Sequence, residues 1–296
     1  MIANCLSGGR KLDADNAIPI LAYHKVDTRL EWGLTRVSPG QFRRQIKYLS
    51  DAGYRTCSLE TCLASDQPTP QGKSVVITFD DAYESIFTYA FPILREFNFT
   101  ATIFVITGFV GTLNHWDINL GGIKFKHLEW NQLSELAEAG WELGSHSVSH
   151  PDLRNCSDAE LTAELTQSRQ RIEDEIQSPV TCFSYPFNRY DQRVIRAVQA
   201  AGYRCACTLD YNFFSPKSKH YLIGRKSIYG WDSVRCLRRK LKRDPVIPFE
   251  AMKQKAVTTC ARASVLIKNF EKAIASDSRT RACEAESDEN QPIQAR

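Results

Sequence analysis

Two apolar stretches, SVVITF at residues 74–79 and ATIFVI at residues 101–106, decide the fold class of this chain. Each is a short run of branched and aromatic side chains, which is typical of a strand buried on both faces of a parallel sheet. Between them, Ile86, Ala90 and Ile93 recur at helical spacing. A strand, a helix and a second strand in this order predict a β-α-β unit.

The same alternation extends from Ile18 to about Ile228. Further strands are predicted at residues 18–23, after residues 141–144, at residues 181–185 and at residues 203–209. The longest predicted helix begins with a capping-box sequence at Ser157 and runs to Ile176. Repeated strand-helix units with short loops predict an α/β protein with a parallel sheet, either open or closed as a barrel.

Length and composition support a sizeable core. The chain has 296 residues, of which 43% are hydrophobic and 24% charged, so a disordered chain and a disulfide-dependent miniature fold are excluded. No run approaches the roughly 18 apolar residues of a membrane span, which excludes an integral membrane protein. We predict an N-terminal extension at residues 1–17, one domain at residues 18–243, and a helical, partly disordered tail at residues 244–296.

The charge balance is mild, with 38 Lys and Arg against 34 Asp and Glu and a net charge of +4, which argues against a nucleic-acid partner. Much of the excess lies between Arg235 and Arg243. This segment predicts peripheral contact with an anionic membrane or a phosphate-bearing glycolipid, and a solvated positive helix is the alternative.

The ten cysteines are scattered without a C-x-x-C pair, which predicts reduced thiols, and a structural metal site is the alternative. Residues 7–11 are polar and follow only six residues after the start, which is too early for a signal-peptide core. Together these features predict a cytoplasmic location.

Two pairs of polar residues follow predicted strands. Asp80 and Asp81 come directly after SVVITF, at the carboxyl end of a strand, where ligands gather in parallel sheets. Successive side chains point in different directions, so one carboxylate can hold a cation while the other handles protons. An acidic turn that caps the next helix is the alternative interpretation.

His146 and His150 lie in the segment GSHSVSHP at residues 144–151, also after a strand. If the chain turns between them, their imidazoles can bind one transition metal, and one carboxylate of the Asp80-Asp81 pair completes an open site of two nitrogens and one oxygen. Two surface histidines in a polar loop are the alternative.

Together, Thr78-Phe79-Asp80-Asp81 and the segment from His146 to His150 resemble the first two motifs of the polysaccharide deacetylases, carbohydrate esterase family four. The resemblance covers about residues 18–228 and implies a distorted (β/α) barrel of about seven parallel strands, the NodB-homology fold. It also implies that Asp81, His146 and His150 bind a divalent metal and that Asp80 is the catalytic base. Zinc suits the mixed ligands best, although ligand type alone does not exclude iron, cobalt or nickel.

The third family motif, Arg-x-Pro-Tyr/Phe, aligns with Ser184-Tyr185-Pro186-Phe187. The resemblance implies that the Phe187 backbone N–H helps to bind the oxyanion. Ser184 replaces the arginine that normally orients the base, and we predict that Arg225 supplies this guanidinium from a later strand. A surface arginine is the alternative.

The fourth motif is weak at Asp210, and the fifth, a Leu-x-His, is absent. Tyr23-His24 at the end of the first strand resembles a circularly permuted branch that includes poly-N-acetylglucosamine deacetylases, which implies that His24 is the general acid. A histidine at the edge of the core is the alternative.

The predicted activity is metal-dependent removal of N-acetyl or O-acetyl groups from an amino-sugar polysaccharide, oligosaccharide or glycolipid. Hydrolysis of a non-sugar C–N bond and a catalytically silent glycan-binding module are the alternatives. The long segment at residues 108–126 predicts a loop over one end of the sheet. The predicted sugar contacts are Tyr185, Pro186, Trp116, Asp210, Asp117, Asn119 and Trp231.

Overall fold

The computed structural model describes residues 18–29, 35–63, 73–114, 124–209 and 220–242. The predicted extension at residues 1–17 and tail at residues 244–296 lie outside these ranges. The strands are β1 (Ile20–Tyr23), β2 (Lys25–Val26), β3 (Arg36–Val37), β4 (Tyr54–Thr56), β5 (Lys73–Phe79), β6 (Thr102–Val105), β7 (Glu142–Ser145), β8 (Cys182–Ser184), β9 (Cys205–Thr208), β10 (Ile223–Gly224) and β11 (Lys226–Ser227). The α-helices are α1 (Pro39–Asp51), α2 (Leu59–Leu63), α3 (Phe91–Glu96), α4 (Trp130–Glu138), α5 (Asp158–Ile176), α6 (Gln192–Ala200) and α7 (Val234–Leu241).

The sheet is parallel and closes into a distorted barrel in the order β10-β9-β8-β7-β6-β5-β1-β11, while β4 pairs with the first half of β5. One short segment joins the two edges, because β10 pairs with β9 and β11 pairs with β1. Eight strands lie on this path instead of about seven, because the closing segment divides at Arg225 into β10 and β11. The predicted barrel is therefore confirmed with one strand more.

The helix after β5 begins differently from its prediction. Residues Ile86–Ala90 form a π-helical turn, and α3 starts only at Phe91. Pro92 lacks a backbone N–H and cannot donate to the preceding turn, which accounts for the wider turn before it. The longest helix, α5, begins at the predicted capping box, in which Ser157 and Glu160 bond each other's backbone N–H.

Successive side chains of each strand point to opposite faces of the sheet, so the strands contribute to two separate apolar clusters. Side chains such as Leu21, Ile77 and Leu143 belong to the large core beneath the helices. A second cluster fills the barrel interior with side chains from alternate strand positions and with Leu59 of α2. Its strand members are Ile20, Val76, Phe104, Cys182, Cys205, Cys207 and Ile223. Inward positions further along these strands reach the carboxyl-end mouth of the barrel, where the polar side chains gather.

None of the described helices is both long and apolar enough to cross a membrane. The basic segment forms most of α7, and it is not solvated along its whole length. Lys240 is buried and pairs with Asp232 at 2.6 Å, while Arg235, Arg238 and Arg239 are exposed. Arg243 lies outside the described residues, and membrane contact through this helix stays a prediction.

Candidate active site

Asp80 follows β5 at the mouth of the barrel and is fully paired with Arg225. The guanidinium donates from Nη1 to Oδ1 at 2.7 Å and from Nη2 to Oδ2 at 2.8 Å, and both side chains are 3% exposed or less. This is the bidentate geometry in which arginine binds carboxylates most strongly. The predicted contact of Arg225 with the Asp80 carboxylate is therefore present.

Arg225 fits beside Asp80 because the small Ser184 stands at the position of the family arginine. Arg225 Nη2 also donates to Ser184 Oγ at 2.8 Å, and Nη1 donates to Thr78 Oγ1 at 3.0 Å. The guanidinium lies over the Phe104 ring, 5.0 Å from its centroid. The small Ser184 side chain therefore leaves room for an arginine that arrives from the closing segment, at the break between β10 and β11.

These contacts keep Asp80 ionised. Burial raises the pKa of a carboxyl group, but the charge of Arg225, the imidazole of His146 and the Arg225 hydrogen bonds outweigh burial and hold the pKa of Asp80 below its usual value. The carboxylate is thus oriented and charged, and each oxygen retains acceptor capacity beyond the Arg225 bond.

Asp81, His146 and His150 converge beside Asp80. The Nε2 atoms of His146 and His150 are 3.2 Å apart, and Asp81 Oδ1 lies 3.5 Å from the first and 3.7 Å from the second. All three side chains are buried. Within the described part of the chain, they are the one group of three such side chains whose ligand atoms all lie within 4.8 Å of one another.

The donor set fits a divalent transition metal. His146 Nδ1 donates to the Ser184 carbonyl oxygen at 2.7 Å, so the proton of the neutral ring lies on Nδ1 and the Nε2 lone pair faces the other ligands. Two imidazole nitrogens that face each other beside a buried carboxylate are the ligand types that bind zinc and its neighbours. The pKa of Asp81 is held far below its usual value, because the hydrogen bond and charges of the histidines outweigh its burial.

Backbone strain is concentrated in the loops that carry these groups. Among the described residues, eight non-glycine residues have a positive φ, and six of them lie in these loops. The six are Asp81, Ala82, Ser147, His150, Phe187 and Asn188. Such conformations are costly for side chains with a Cβ and persist where surrounding contacts fix them, which occurs often at functional sites.

Phe187 lies in the turn after β8, and its ring packs edge-on against His150 at a centroid distance of 4.4 Å. Its φ of 55° turns the backbone of the short 3₁₀ segment at Pro186–Asn188 toward the left-handed region. The segment predicted to bind the oxyanion therefore lies against a predicted metal ligand. The donor role of the Phe187 N–H stays a prediction.

His24 lies next to Asp80 through the pairing of β1 with β5. The Asp80 N–H donates to the Tyr23 carbonyl oxygen at 3.0 Å, and the charge of His24 contributes to the lowered pKa of both Asp80 and Asp81. The His24 side chain is half-buried, and its Nδ1 has no hydrogen-bond partner among the described residues. His24 is therefore at the site, and its acid role stays a prediction.

The predicted sugar contacts differ in their exposure to solvent. Tyr185 is 2% exposed, and its hydroxyl donates to the Tyr221 carbonyl oxygen at 3.1 Å, so its ring is a core side chain and not a platform for a sugar. Pro186 is buried as well, whereas Trp231 is 40% exposed. Trp116, Asp117, Asn119 and Asp210 lie outside the described residues.

Sequence reasoning missed His127. Its Nδ1 donates to the Asp81 carbonyl oxygen at 2.6 Å, and its ring stacks on Tyr83 at 4.8 Å. Burial lowers the pKa of His127 despite the nearby Asp81, which favours the neutral ring. This hydrogen bond stabilises the backbone of Asp81, a predicted metal ligand with a positive φ. Its position between the long segment at residues 108–126 and α4 gave no signal, because the contact with Asp81 spans 46 residues.

Comparisons with known proteins agree with this geometry. A sequence model of the polysaccharide deacetylases matches residues 67–206, which contain Asp80, Asp81, His146, His150 and Phe187. The chain is 27% identical over 217 residues to YxkH of Bacillus subtilis, a protein assigned by name to the polysaccharide deacetylases, with 73% of this chain and 72% of the relative covered. Over these residues the chain is similar to the polysaccharide deacetylase family.

Two further comparisons point to the same family. The chain is 27% identical over 199 residues to a poly-β-1,6-N-acetyl-D-glucosamine N-deacetylase of Staphylococcus aureus, covering 64% of this chain and 66% of the relative. The solved structure of the Streptococcus pyogenes deacetylase PplD in complex with acetate matches with a TM-score of 0.67 and 26% identity, over 76% of this chain and 98% of that one. The protein is a hydrolase that acts on carbon–nitrogen bonds, as this family does.

Proposed function

We propose that this deacetylase removes N-acetyl groups from an amino-sugar glycan and uses a divalent metal held by Asp81, His146 and His150. The observation that carries the proposal is the convergence of three ligand atoms, with Asp81 Oδ1 3.5 Å from His146 Nε2, beside an oriented carboxylate on Asp80. Zinc is the metal that we propose, because the donors are two nitrogens and one oxygen.

We assign a separate role in amide hydrolysis to each of several groups at the site. A divalent cation bound at such a site supplies Lewis-acid chemistry, lowering the pKa of water and polarising a carbonyl group. Asp80 takes the proton from the attacking water, and Arg225 keeps this carboxylate charged and aimed. The Phe187 N–H donates to the oxygen that becomes negative during attack, where one such donor contributes roughly 10²–10³ in rate.

The leaving amine needs a proton, and His24 supplies it. Its place beside Asp80, across the β1–β5 pairing, supports this role. Acetate and a free amino sugar are then the products. The proposed acid and the proposed base then follow two neighbouring strands, β1 and β5.

The substrate class that we propose is a polymer or oligomer of β-1,6-linked N-acetylglucosamine. The support is the likeness to the Staphylococcus aureus relative, whose name states this substrate. The exposed ring of Trp231, in the loop after β11, offers an apolar surface on which a sugar can stack. A cytoplasmic location stays a prediction from the sequence.

Acetate release tests the proposal. The purified full chain is incubated with β-1,6-linked and β-1,4-linked N-acetylglucosamine oligomers and with a cyclic imide, each with Zn²⁺ and with a chelator. We expect release of acetate from the β-1,6-linked oligomer, loss of this activity with chelator, and recovery when Zn²⁺ is restored. Ring opening of the imide without acetate release would instead favour hydrolysis of a non-sugar C–N bond.

Asp80→Asn tests the catalytic base. The amide retains most of the shape but cannot take a proton, so we expect kcat to fall by about 10²–10⁴. Zinc content by elemental analysis should equal that of the unchanged protein, because Asp80 is not a proposed ligand. Turnover that is unaffected by this substitution would contradict the proposed base, and a chain that binds glycan without any turnover would indicate a silent binding module.

A further inference from the structure

Helix α5 holds the loop between the two histidines through one carboxylate. Glu164 Oε2 accepts hydrogen bonds from the backbone N–H of Val148 at 2.8 Å and of Ser149 at 2.9 Å. Glu164 Oε1 accepts from the Ser149 hydroxyl at 2.6 Å. Three hydrogen bonds to one charged group, each stronger than a neutral bond, therefore fix the middle of the segment from His146 to His150.

This loop needs such a partner because its backbone is strained. Ser147 has a φ of 70° and His150 a φ of 55°, both in the left-handed region. From the short turn after β6, the Gly108 N–H donates to the Val148 carbonyl oxygen at 2.9 Å. A Cβ on Gly108 would lie 2.6 Å from that oxygen, so the turn at Gly108 packs closely against the loop.

A second contact one turn along α5 holds the start of the same loop. Ser168 shares a hydrogen bond of 2.8 Å with the Ser145 hydroxyl, and Ser145 Oγ accepts from the Ser147 N–H at 3.3 Å. The helix has 19 residues and a complete capping box, which makes it a firm support. The spacing of the two histidines is therefore set by α5 and not by the loop alone.

We propose that Glu164 is a positioning residue that sets the affinity of the metal site. Its hydrogen bonds go to Val148 and Ser149, between the two predicted ligands, and they fix the conformation that brings the two imidazoles together before a metal binds. A site fixed in advance loses less conformational entropy on binding. The inference rests on the proposed function, because it concerns the same Asp81, His146 and His150 group.

Zinc binding to the metal-free full chain tests this role, measured by competition with a chromophoric chelator at a temperature well below unfolding. Glu164→Ala removes all three hydrogen bonds, and we expect the Kd for Zn²⁺ to rise about 10–100-fold, as for other partners that orient metal ligands. Glu164→Gln keeps one oxygen for the two N–H groups, so we expect an intermediate rise.

Two controls separate positioning from general stability. Ile172→Ala removes a fully buried side chain two turns further along α5 without touching the loop, and Glu135→Ala removes an exposed glutamate of α4. We expect Ile172→Ala to lower the melting temperature and both controls to keep the Kd for Zn²⁺ of the unchanged protein.

Three results would overturn the inference. If Glu164→Ala and Glu164→Gln bind Zn²⁺ within twofold of the unchanged protein, Glu164 does not set the affinity, and the proposed metal site stands without it. If Ile172→Ala raises the Kd as much as Glu164→Ala, the effect belongs to helix stability. If the unchanged protein does not bind Zn²⁺, the proposed metal site fails and this inference fails with it.

Discussion

The Asp80–Arg225 pair shows how one residue can do the work of another at a different place in the chain. Both side chains are buried, so neither charge is solvated, and each depends on the other. The family places its arginine two residues before the proline of the third motif, where this chain has Ser184. Here the guanidinium comes from the closing segment and reaches the same carboxylate.

Replacing Arg225 by Met should damage both stability and turnover. The substitution leaves the Asp80 carboxylate buried without its partner, so we expect the free energy of unfolding to fall by about 3–5 kcal/mol. The pKa of Asp80 should rise and kcat for acetate release should fall, because the base is less often charged and no longer aimed. Denaturant unfolding and acetate release measure the two effects.

A second substitution makes this test specific. Adding Ser184→Arg to Arg225→Met restores the arginine of the third motif next to Asp80, because Ser184 Oγ lies only 2.8 Å from the present guanidinium. We expect part of the lost turnover to return. Full stability and turnover in Arg225→Met alone would show that the ion pair has no role.

At the scale of elements, β7 depends on close packing across the barrel interior. Gly144 faces inward between its neighbours, and a Cβ there would lie 2.6 Å from the Phe104 ring and 3.0 Å from the Cys182 carbonyl oxygen. The strand carries His146 one residue after its end. Packing inside the barrel therefore determines where a predicted metal ligand lies.

Gly144→Ala should strain this packing, and we expect the free energy of unfolding to fall by about 1–3 kcal/mol in denaturant unfolding. Phe104→Leu in the same chain should recover part of the loss by opening space for the methyl group. Gly40→Ala in α1 is the matched control, because the nearest atom is 3.7 Å away. The control should be neutral or more stable by up to about 1 kcal/mol; equal losses in both variants would contradict the packing argument.

At the scale of the whole barrel, α7 secures the segment that closes the sheet. Lys240 Nζ donates to the Ser227 carbonyl oxygen in β11 at 2.7 Å and to Asp232 Oδ2 at 2.6 Å. The same Asp232 oxygen accepts from the Tyr229 N–H at 2.8 Å. The closing segment, which carries Arg225, is thus fixed from its outer side by a buried ion pair.

Lys240→Met should therefore be far more costly than loss of a surface lysine. It leaves Asp232 buried and without its cation, so we expect a loss of about 3–5 kcal/mol in the free energy of unfolding. Lys47→Met removes the ion pair with Asp51, in which both side chains are at least 60% exposed, and should cost no more than about 1 kcal/mol.

The combination of Lys240→Met with Asp232→Asn distinguishes a buried charge from lost packing. The amide keeps an oxygen for the Tyr229 N–H and carries no charge, so the double variant should be more stable than Lys240→Met alone. If Lys240→Met costs no more than Lys47→Met, the closing segment does not depend on this pair.

The strand-helix alternation and the polar residues that end the strands can both be predicted from the amino-acid sequence. The reason is that both are local: the SVVITF run, the capping box at Ser157 and the two-residue period act over a few neighbouring residues. The same local pattern predicted that Asp80, Asp81, His146 and His150 lie at one end of the sheet, and the structure brings Asp81, His146 and His150 together there.

The contacts between distant parts of the chain could not be predicted from local patterns and depend on the complete fold. Arg225 meets Asp80 across 145 residues, and His127 meets the Asp81 carbonyl group across 46. Tyr185 is buried in the core. The closing strand is divided in two, because one short segment must join both edges of the barrel. Such contacts depend on closure of the whole barrel, which no local pattern of side chains encodes.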